Sequence, residues 1–117
     1  MTQGIILLAH GSRDPLWKLP IEAVAAQIAP LALVRCAYLE HTAPDALQVA
    51  SDLIALGASS IRVFPLFLGI GKHARSDIPA LMEQIAAQHP GVHLELLPIA
   101  GEQPQVTALL AQLALSP

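Results

Sequence analysis

The residues best suited to chemistry stand after three apolar runs of the chain. His10 ends the run "LLAH", Glu40 and His41 follow "CAYL", and His73 follows the glycine-containing segment "LGIGK". Two imidazoles and a carboxylate are a donor set that binds Co²⁺, Ni²⁺, Fe²⁺ or Zn²⁺ at open, catalytic sites. The same groups could instead accept protons, because histidine titrates near neutral pH. A single histidine such as His10 is, on its own, more typical of a turn at a strand end.

Apolar runs alternate with helical patterns and predict the scaffold that positions these residues. Strands are predicted at 4–10, 33–40, 60–69 and 92–100, and helices at 21–29, 44–57, 77–89 and 104–115. This βαβαβαβα order predicts an α/β fold with a parallel sheet, right-handed crossovers and helices on both faces. Alternating polarity in the last run suits an edge strand, and Pro65 is expected where the third strand leaves the ladder.

The predicted sheet brings the candidate residues to one edge. Ligands of open parallel sheets bind outside the carboxyl ends of the strands, where His10, Glu40 or His41, and His73 all lie. If Glu40 and His41 both keep strand geometry, they face opposite sides, and only one of them points into the site. We therefore expect a site of two histidines and one further residue.

The segment after the third run contains two glycines but no phosphate-binding motif. Neither GxGxxG nor GxxxxGK[ST] is present, so we expect no P-loop. Gly69 and Gly71 are expected to allow an unusual backbone path that brings His73 over the sheet. Asp77 is expected to cap the following helix.

Charge is scarce in this chain. Charged residues make up 13% of it and hydrophobic residues 54%, against roughly 25% charged in average proteins. Such a surface favours an oligomer, most simply a twofold dimer, although an Ala- and Leu-rich monomer is the alternative. With a net charge of −3 and scattered basic residues, nothing suggests a nucleic-acid surface, and we expect no nucleic-acid partner. Arg13, Lys72 and Arg75 fall at the predicted rim, where they suit an anionic ligand or serve solubility.

Length and cysteine content predict one intracellular domain. The 117 residues are expected to form a single domain, 1–117, without linkers or repeats. Cys36 is the only cysteine, which excludes an internal disulfide and fits a reducing compartment. No stretch reaches the roughly 18 apolar residues of a membrane span, so we expect a cytoplasmic protein.

Three segments carry a resemblance that covers nearly the whole chain. "LLAHGSRDP", "YLEHTAPDAL" and "VFPLFLGIGKHARSDIP" resemble the short, single-domain sirohydrochlorin cobaltochelatases of the CbiX type, within the class II tetrapyrrole chelatases. The last segment is the most specific. The resemblance implies a flavodoxin-like three-layer sandwich with a four-stranded parallel sheet, half of a two-lobed chelatase, which pairs as a homodimer.

The same resemblance implies roles for individual residues. His10 and His73 match the family's metal-binding and catalytic histidines, and Glu40 matches an acidic residue followed four positions later by a proline, here Pro44. The intervening "HTA" departs from the family pattern and leaves a contribution from His41 open. The chain also lacks the histidine-rich tail of some relatives.

The implied reaction inserts Co²⁺ into sirohydrochlorin, a step of cobalamin biosynthesis, with release of two protons and without ATP. The expected contacts to the substrate's carboxylates are Ser12, Arg13, Lys72 and Arg75. The alternatives are a sirohydrochlorin ferrochelatase, a nickel chelatase, or a metal- or tetrapyrrole-binding carrier without turnover. A flavodoxin-like regulatory module is disfavoured, because no acidic phosphoacceptor cluster follows the first strand.

Overall fold

The four apolar runs form one parallel sheet in the order β2-β1-β3-β4. The computed structural model describes residues 2–117. The strands are β1 (Gln3–Ala9), β2 (Leu33–Tyr38), β3 (Ser60–Pro65) and β4 (His93–Leu96). The helices are α1 (Leu19–Ile28), α2 (Ala46–Ala55), α3 (Lys72–Gln88) and α4 (Pro104–Leu115), with a 3₁₀ turn at Ala100–Glu102. The predicted α/β class and element order are confirmed.

The core lies on both faces of β1. Ile6, Leu7 and Leu8 are completely buried, because β1 has a strand on each side and helices above and below. Ile6 and Leu8 pack against α2 and α3, in a cluster that includes Leu53 and Ile85. This burial accounts for the continuous apolar run before His10.

Helix α1 covers the face opposite α2 and α3. Ala37 belongs to the cluster under α2 and α3, so its neighbour Cys36 faces the other way. The Cys36 thiol lies 3.9 Å from the carbonyl oxygen of Ile21 in α1. The sheet is therefore the middle of three layers, as in the predicted sandwich.

Strands β2 and β3 end earlier than their apolar runs. β2 stops at Tyr38, so Glu40 and His41 lie in a bend beyond it. β3 stops at Pro65, the residue at which the strand was predicted to leave the ladder. The argument that Glu40 and His41 face opposite sides therefore does not apply, because neither residue has strand geometry.

Helix α3 begins five residues before the predicted start. Its N-cap is Gly71, so Asp77 lies in its second turn and is not a cap, contrary to expectation. The segment "KHARS" has no apolar spacing to reveal this turn, and Pro79 stands inside the helix. Asp45 is the N-cap of α2, where its Oδ1 accepts a hydrogen bond from the Gln48 amide at 2.9 Å.

The glycine prediction for the loop before α3 is wrong. Neither Gly69 nor Gly71 has a left-handed backbone; the glycines with positive φ are Gly11 and Gly57, both at 106°. The helix starts directly after Gly71, so no unusual path is needed to carry His73.

Helix α4 has no buried residue. Its exposed large apolar side chains are Leu109, Leu110, Leu113 and Leu115. Within residues 2–117, no helix combines the length and apolar character needed to cross a membrane.

Candidate functional site

His10, Glu40 and His73 line one cavity at the carboxyl edge of the sheet. The cavity has a volume of about 340 Å³, and its remaining lining residues are Leu39, Ala74 and Asp77. The three donors come from the β1–α1 loop, the β2–α2 loop and the first turn of α3. Separate parts of the chain thus supply the donors at the edge where open parallel sheets bind ligands.

His10 and Glu40 are already paired. His10 Nε2 lies 2.6 Å from Glu40 Oε1, a distance typical of a strong hydrogen bond to a carboxylate. The side chains are 54% and 49% exposed, so both can reach a ligand in the cavity. The Phe67 ring meets the His10 ring edge-to-face, with centroids 6.4 Å apart. The carboxylate and the aromatic ring together fix the orientation of the imidazole.

The backbone holds the two loops in contact. A Cβ on Gly11 would overlap the carbonyl oxygen of Glu40, so only glycine permits this approach. The Glu40 amide donates to the carbonyl of His10 at 3.0 Å. Two residues further along each loop, the Thr42 hydroxyl donates to the Ser12 carbonyl at 2.7 Å. These contacts set the distance between the His10 and Glu40 side chains.

His41 reaches the same carboxylate as His10. Its φ of 65° is the one positive value among the non-glycine residues of 2–117. His41 Nε2 lies 3.5 Å from Glu40 Oε1, the oxygen that also contacts His10. His41 is not among the residues that line the cavity, so it approaches Glu40 from outside. The sequence left a contribution from His41 open because "HTA" departs from the family pattern, and the positive φ is the local feature that turns its side chain towards Glu40.

Asp77 is a cavity residue that sequence reasoning missed. It follows His73 by four positions in α3, a spacing that places both side chains on one helix face. Both line the cavity. The i, i+4 spacing would have revealed Asp77, had the helix start been placed at Lys72.

The predicted basic residues occupy different places around the rim. Arg13 and Lys72 are exposed, in the loop after β1 and at the first position of α3. Arg75 lines a separate cavity of about 190 Å³ with Ile70, and its Nη2 donates to the Ile70 carbonyl at 3.4 Å. In the chain from residue 2 onward, none of these three side chains pairs with a carboxylate. Ser12 Oγ accepts from the Asp14 amide at 3.1 Å.

The donors do not form a closed metal site. Within residues 2–117, no group of three or more His, Cys, Asp or Glu side chains is close enough to hold one ion. His10 and Glu40 are in contact, whereas His73 lines the same cavity without joining them. This arrangement is an open site with two assembled donors and a third within the same cavity.

The sequence matches known proteins along most of its length. The CbiX family model matches residues 4–116. Similar proteins named sirohydrochlorin cobaltochelatase occur in Methanococcoides burtonii, with 32% identity over 83 residues, and in Saccharolobus solfataricus, with 38% over 80 residues. Each match covers 68% of this chain, but only 63% and 62% of those relatives' lengths. A Saccharolobus islandicus relative of the same name is 32% identical over 99 residues, covering 80% of this chain and 77% of the relative.

Solved structures have the same fold. A putative cobalamin biosynthesis CbiX protein from Marinobacter aquaeolei superposes with a TM-score of 0.84 at 32% identity, covering 96% of this chain and 93% of that one. The sirohydrochlorin chelatase SirB from Bacillus subtilis, solved in complex with cobalt, gives a TM-score of 0.81 at 23% identity. The fit covers 96% of this chain but 49% of SirB, so the fold corresponds to half of that protein. From the family match over residues 4–116, the chain belongs to the CbiX family.

Proposed function

We propose that this protein is a chelatase that inserts Co²⁺ into sirohydrochlorin. The observation that carries the proposal is the placement of His10, Glu40 and His73 around one cavity at the ligand-binding edge of the sheet. Imidazole and carboxylate are suitable ligands for Co²⁺. The relatives named sirohydrochlorin cobaltochelatase support the choice of substrate and metal.

The site residues can assist both parts of the reaction. Insertion must strip water from the ion and remove two pyrrole N–H protons, while the ion forms bonds to the four ring nitrogens in place of its water ligands. His10, Glu40 and His73 can replace water ligands of the incoming ion, and the same groups can accept the released protons. The charges balance without a redox step, and no nucleotide is required.

The macrocycle is too broad to enter the cavity completely. At about 340 Å³, the cavity lies near the lower end of the range for ligand pockets, roughly 300–1,000 Å³. We therefore place the tetrapyrrole across the cavity mouth, with its ring face against apolar rim residues such as Leu68, which is 72% exposed. Arg13 and Lys72 are exposed at this rim and suit the substrate's peripheral carboxylates.

A second copy of the chain is expected to complete the cleft. The accessible surface is 7233 Å², about 1,100 Å² more than the roughly 6,100 Å² typical of a 12.3 kDa monomer. A standard interface buries about 800 Å² on each partner, so a dimer would remove surface on this scale. The exposed leucines of α4 supply the apolar part of such an interface. The fit to half of SirB also supports pairing of two copies.

The reducing cytoplasm is the proposed location of the reaction. Cys36 is a free thiol, and the chain has no second cysteine with which it could pair. Such cysteine usage is typical of reducing compartments.

Turnover separates the chelatase from a carrier that binds without reacting. Substoichiometric protein is mixed with sirohydrochlorin and Co²⁺, and the absorbance of the macrocycle is followed beside a reaction without protein. Product in excess of one equivalent per chain supports an enzyme, whereas a plateau at one equivalent supports the carrier. Parallel reactions with Fe²⁺ and Ni²⁺ rank the metals, because the same N and O donors bind all three.

A further inference from the structure

We propose that His41 is a positioning residue that holds the Glu40 carboxylate when a metal ion occupies His10. This inference rests on the function proposed above. His41 acts through Glu40 and does not line the cavity itself. It is 38% exposed and its Nε2 lies 3.5 Å from Glu40 Oε1.

The conformation of His41 is what directs its imidazole at Glu40. Consecutive residues of an extended chain point to opposite sides, which would separate Glu40 from His41. The φ of 65° at His41 breaks this alternation, and the His41 imidazole turns towards Oε1 of the Glu40 carboxylate. Non-glycine residues rarely adopt positive φ, although histidine does so more often than most.

Hydrogen bonds on both sides hold His41 in this conformation. Before it, the Glu40 amide donates to the His10 carbonyl at 3.0 Å; after it, the Thr42 amide donates to the Glu40 carbonyl at 2.8 Å. The Thr42 hydroxyl adds a bond to the Ser12 carbonyl. The imidazole is therefore presented to Glu40 by a fixed loop.

Metal binding creates the need for this second partner. In the structure, Glu40 Oε1 is held by His10 Nε2 at 2.6 Å. For a metal ion to bind through Nε2, that nitrogen must give up its hydrogen, with the neutral ring carrying its hydrogen on Nδ1 instead, and the hydrogen bond to Glu40 is lost. Glu40 is half exposed and would then turn freely, unless another group holds it.

His41 is close enough to take over. Its Nε2 lies a few tenths of an ångström beyond an ordinary hydrogen bond from the same oxygen, roughly 3.2 Å being the usual limit. A neutral imidazole with hydrogen on Nε2 donates without any change of protonation. Glu40 can thus keep one partner while its other oxygen turns to the metal.

Co²⁺ binding to the purified protein, without tetrapyrrole, tests this role. The affinity is measured by calorimetry, and the ligand field by the visible absorption of bound Co²⁺. His41→Gly removes the imidazole and accepts the positive φ, while His41→Ala and His41→Gln carry comparable backbone strain and differ in the amide donor. Removing an outer partner of a metal ligand costs roughly 10-fold to 100-fold in affinity. We expect about a 10-fold loss in the Gly and Ala variants, with partial recovery in the Gln variant.

Comparison of the variants separates loss of the His41 imidazole from backbone strain and from loss of the metal site itself. His93→Ala removes an exposed imidazole at the opposite edge of the sheet and should bind Co²⁺ like the unmodified protein. Wild-type affinity and an unchanged spectrum in His41→Gly would overturn the role of His41. If His10→Ala also binds Co²⁺ normally, the proposed metal site fails as well; if only His10→Ala loses binding, the site stands and His41 is excluded.

Discussion

The imidazole of His10 has two neighbours of opposite character. Glu40 Oε1 contacts its Nε2 at 2.6 Å, and the Phe67 ring meets it edge-on. The carboxylate on one side and the aromatic ring on the other together restrict the orientation of the imidazole. His73 reaches the same cavity from the exposed first turn of α3.

Replacing either histidine should abolish metal insertion without unfolding the protein. For His10→Ala and His73→Ala, we expect turnover to fall by at least about 100-fold, the lower range for loss of a positioned acid–base group. Both residues are exposed, so the free energy of unfolding should change by only about 0.5 kcal/mol. Insertion rates and urea denaturation measure the two effects. Near wild-type turnover in one variant would remove that histidine from the mechanism.

Tyr38 should make the protein sensitive to alkaline pH. Burial, together with the nearby Cys36 and Glu22, raises the pKa of Tyr38 to about 12. An unfolded tyrosine has a pKa of about 10, so the folded protein binds the phenolic proton more tightly. This contribution to stability is complete below pH 10 and is lost as the pH rises through about 12. Denaturation between pH 9 and 12 should show a smaller decline for Tyr38→Phe; parallel curves would contradict this effect.

The convergence of the three donors was predictable, but their finer arrangement was not. Strand order alone places His10, Glu40 and His73 at one edge, since parallel strands end together. The direction of His41 depends on one backbone torsion that no periodicity encodes. Asp77 was missed because the first turn of α3 has polar residues and no apolar spacing.

At the scale of elements, the site depends on how closely the exits of β1 and β2 approach each other. The Glu40 amide bonds to the His10 carbonyl, and Gly11 leaves room for the Glu40 carbonyl. The sequence shows "HGS" as a turn after a strand. It does not show that this turn touches a loop thirty positions away, because that contact arises from sheet order.

Gly11→Ala should damage the site more than a matched substitution elsewhere. Gly57 has the same φ of 106°, but an alanine Cβ there would have no atom within 4 Å, so Gly57→Ala carries only the backbone strain. That strain costs about 1–3 kcal/mol. Gly11→Ala adds an overlap with the Glu40 carbonyl, so we expect a larger loss of stability and weaker Co²⁺ binding. Stability is measured by urea denaturation and Co²⁺ affinity by calorimetry. Equal losses in the two variants would contradict this prediction.

At the scale of the whole molecule, the main feature is a shape more extended than is typical of a chain of this length. The radius of gyration is 14.6 Å, against about 13.4 Å typical of 117 residues. Helices α1 and α4 have no buried residue, which explains part of the excess. Composition predicted an apolar surface, but it could not show that four of the exposed leucines lie together on α4, because leucine is abundant throughout the chain.

Negative charges introduced on α4 should dissociate the proposed dimer into monomers. For Leu109→Glu with Leu113→Glu, we expect the mass from light scattering to fall from two chains to one at micromolar concentration. Insertion should fall with it, because each cleft loses its second lobe. Leu56→Glu is the control, since this leucine is also exposed but lies at the end of α2 and not on α4. A monomeric unmodified protein, or a double variant that stays dimeric, would contradict the proposal.

The bond between His10 and Glu40 also bears on which ions the site accepts. In the proposed mechanism, an ion that binds through His10 Nε2 breaks this 2.6 Å contact and releases water of its own. Mg²⁺ gives up water reluctantly and binds imidazole weakly. Bonds to His10 would therefore not offset the free energy needed to dehydrate the ion and break the His10–Glu40 hydrogen bond. Co²⁺, Ni²⁺ and Fe²⁺ gain more from nitrogen donors. If the proposed site is correct, the His10–Glu40 pair therefore favours transition-metal ions over Mg²⁺ before any tetrapyrrole is bound.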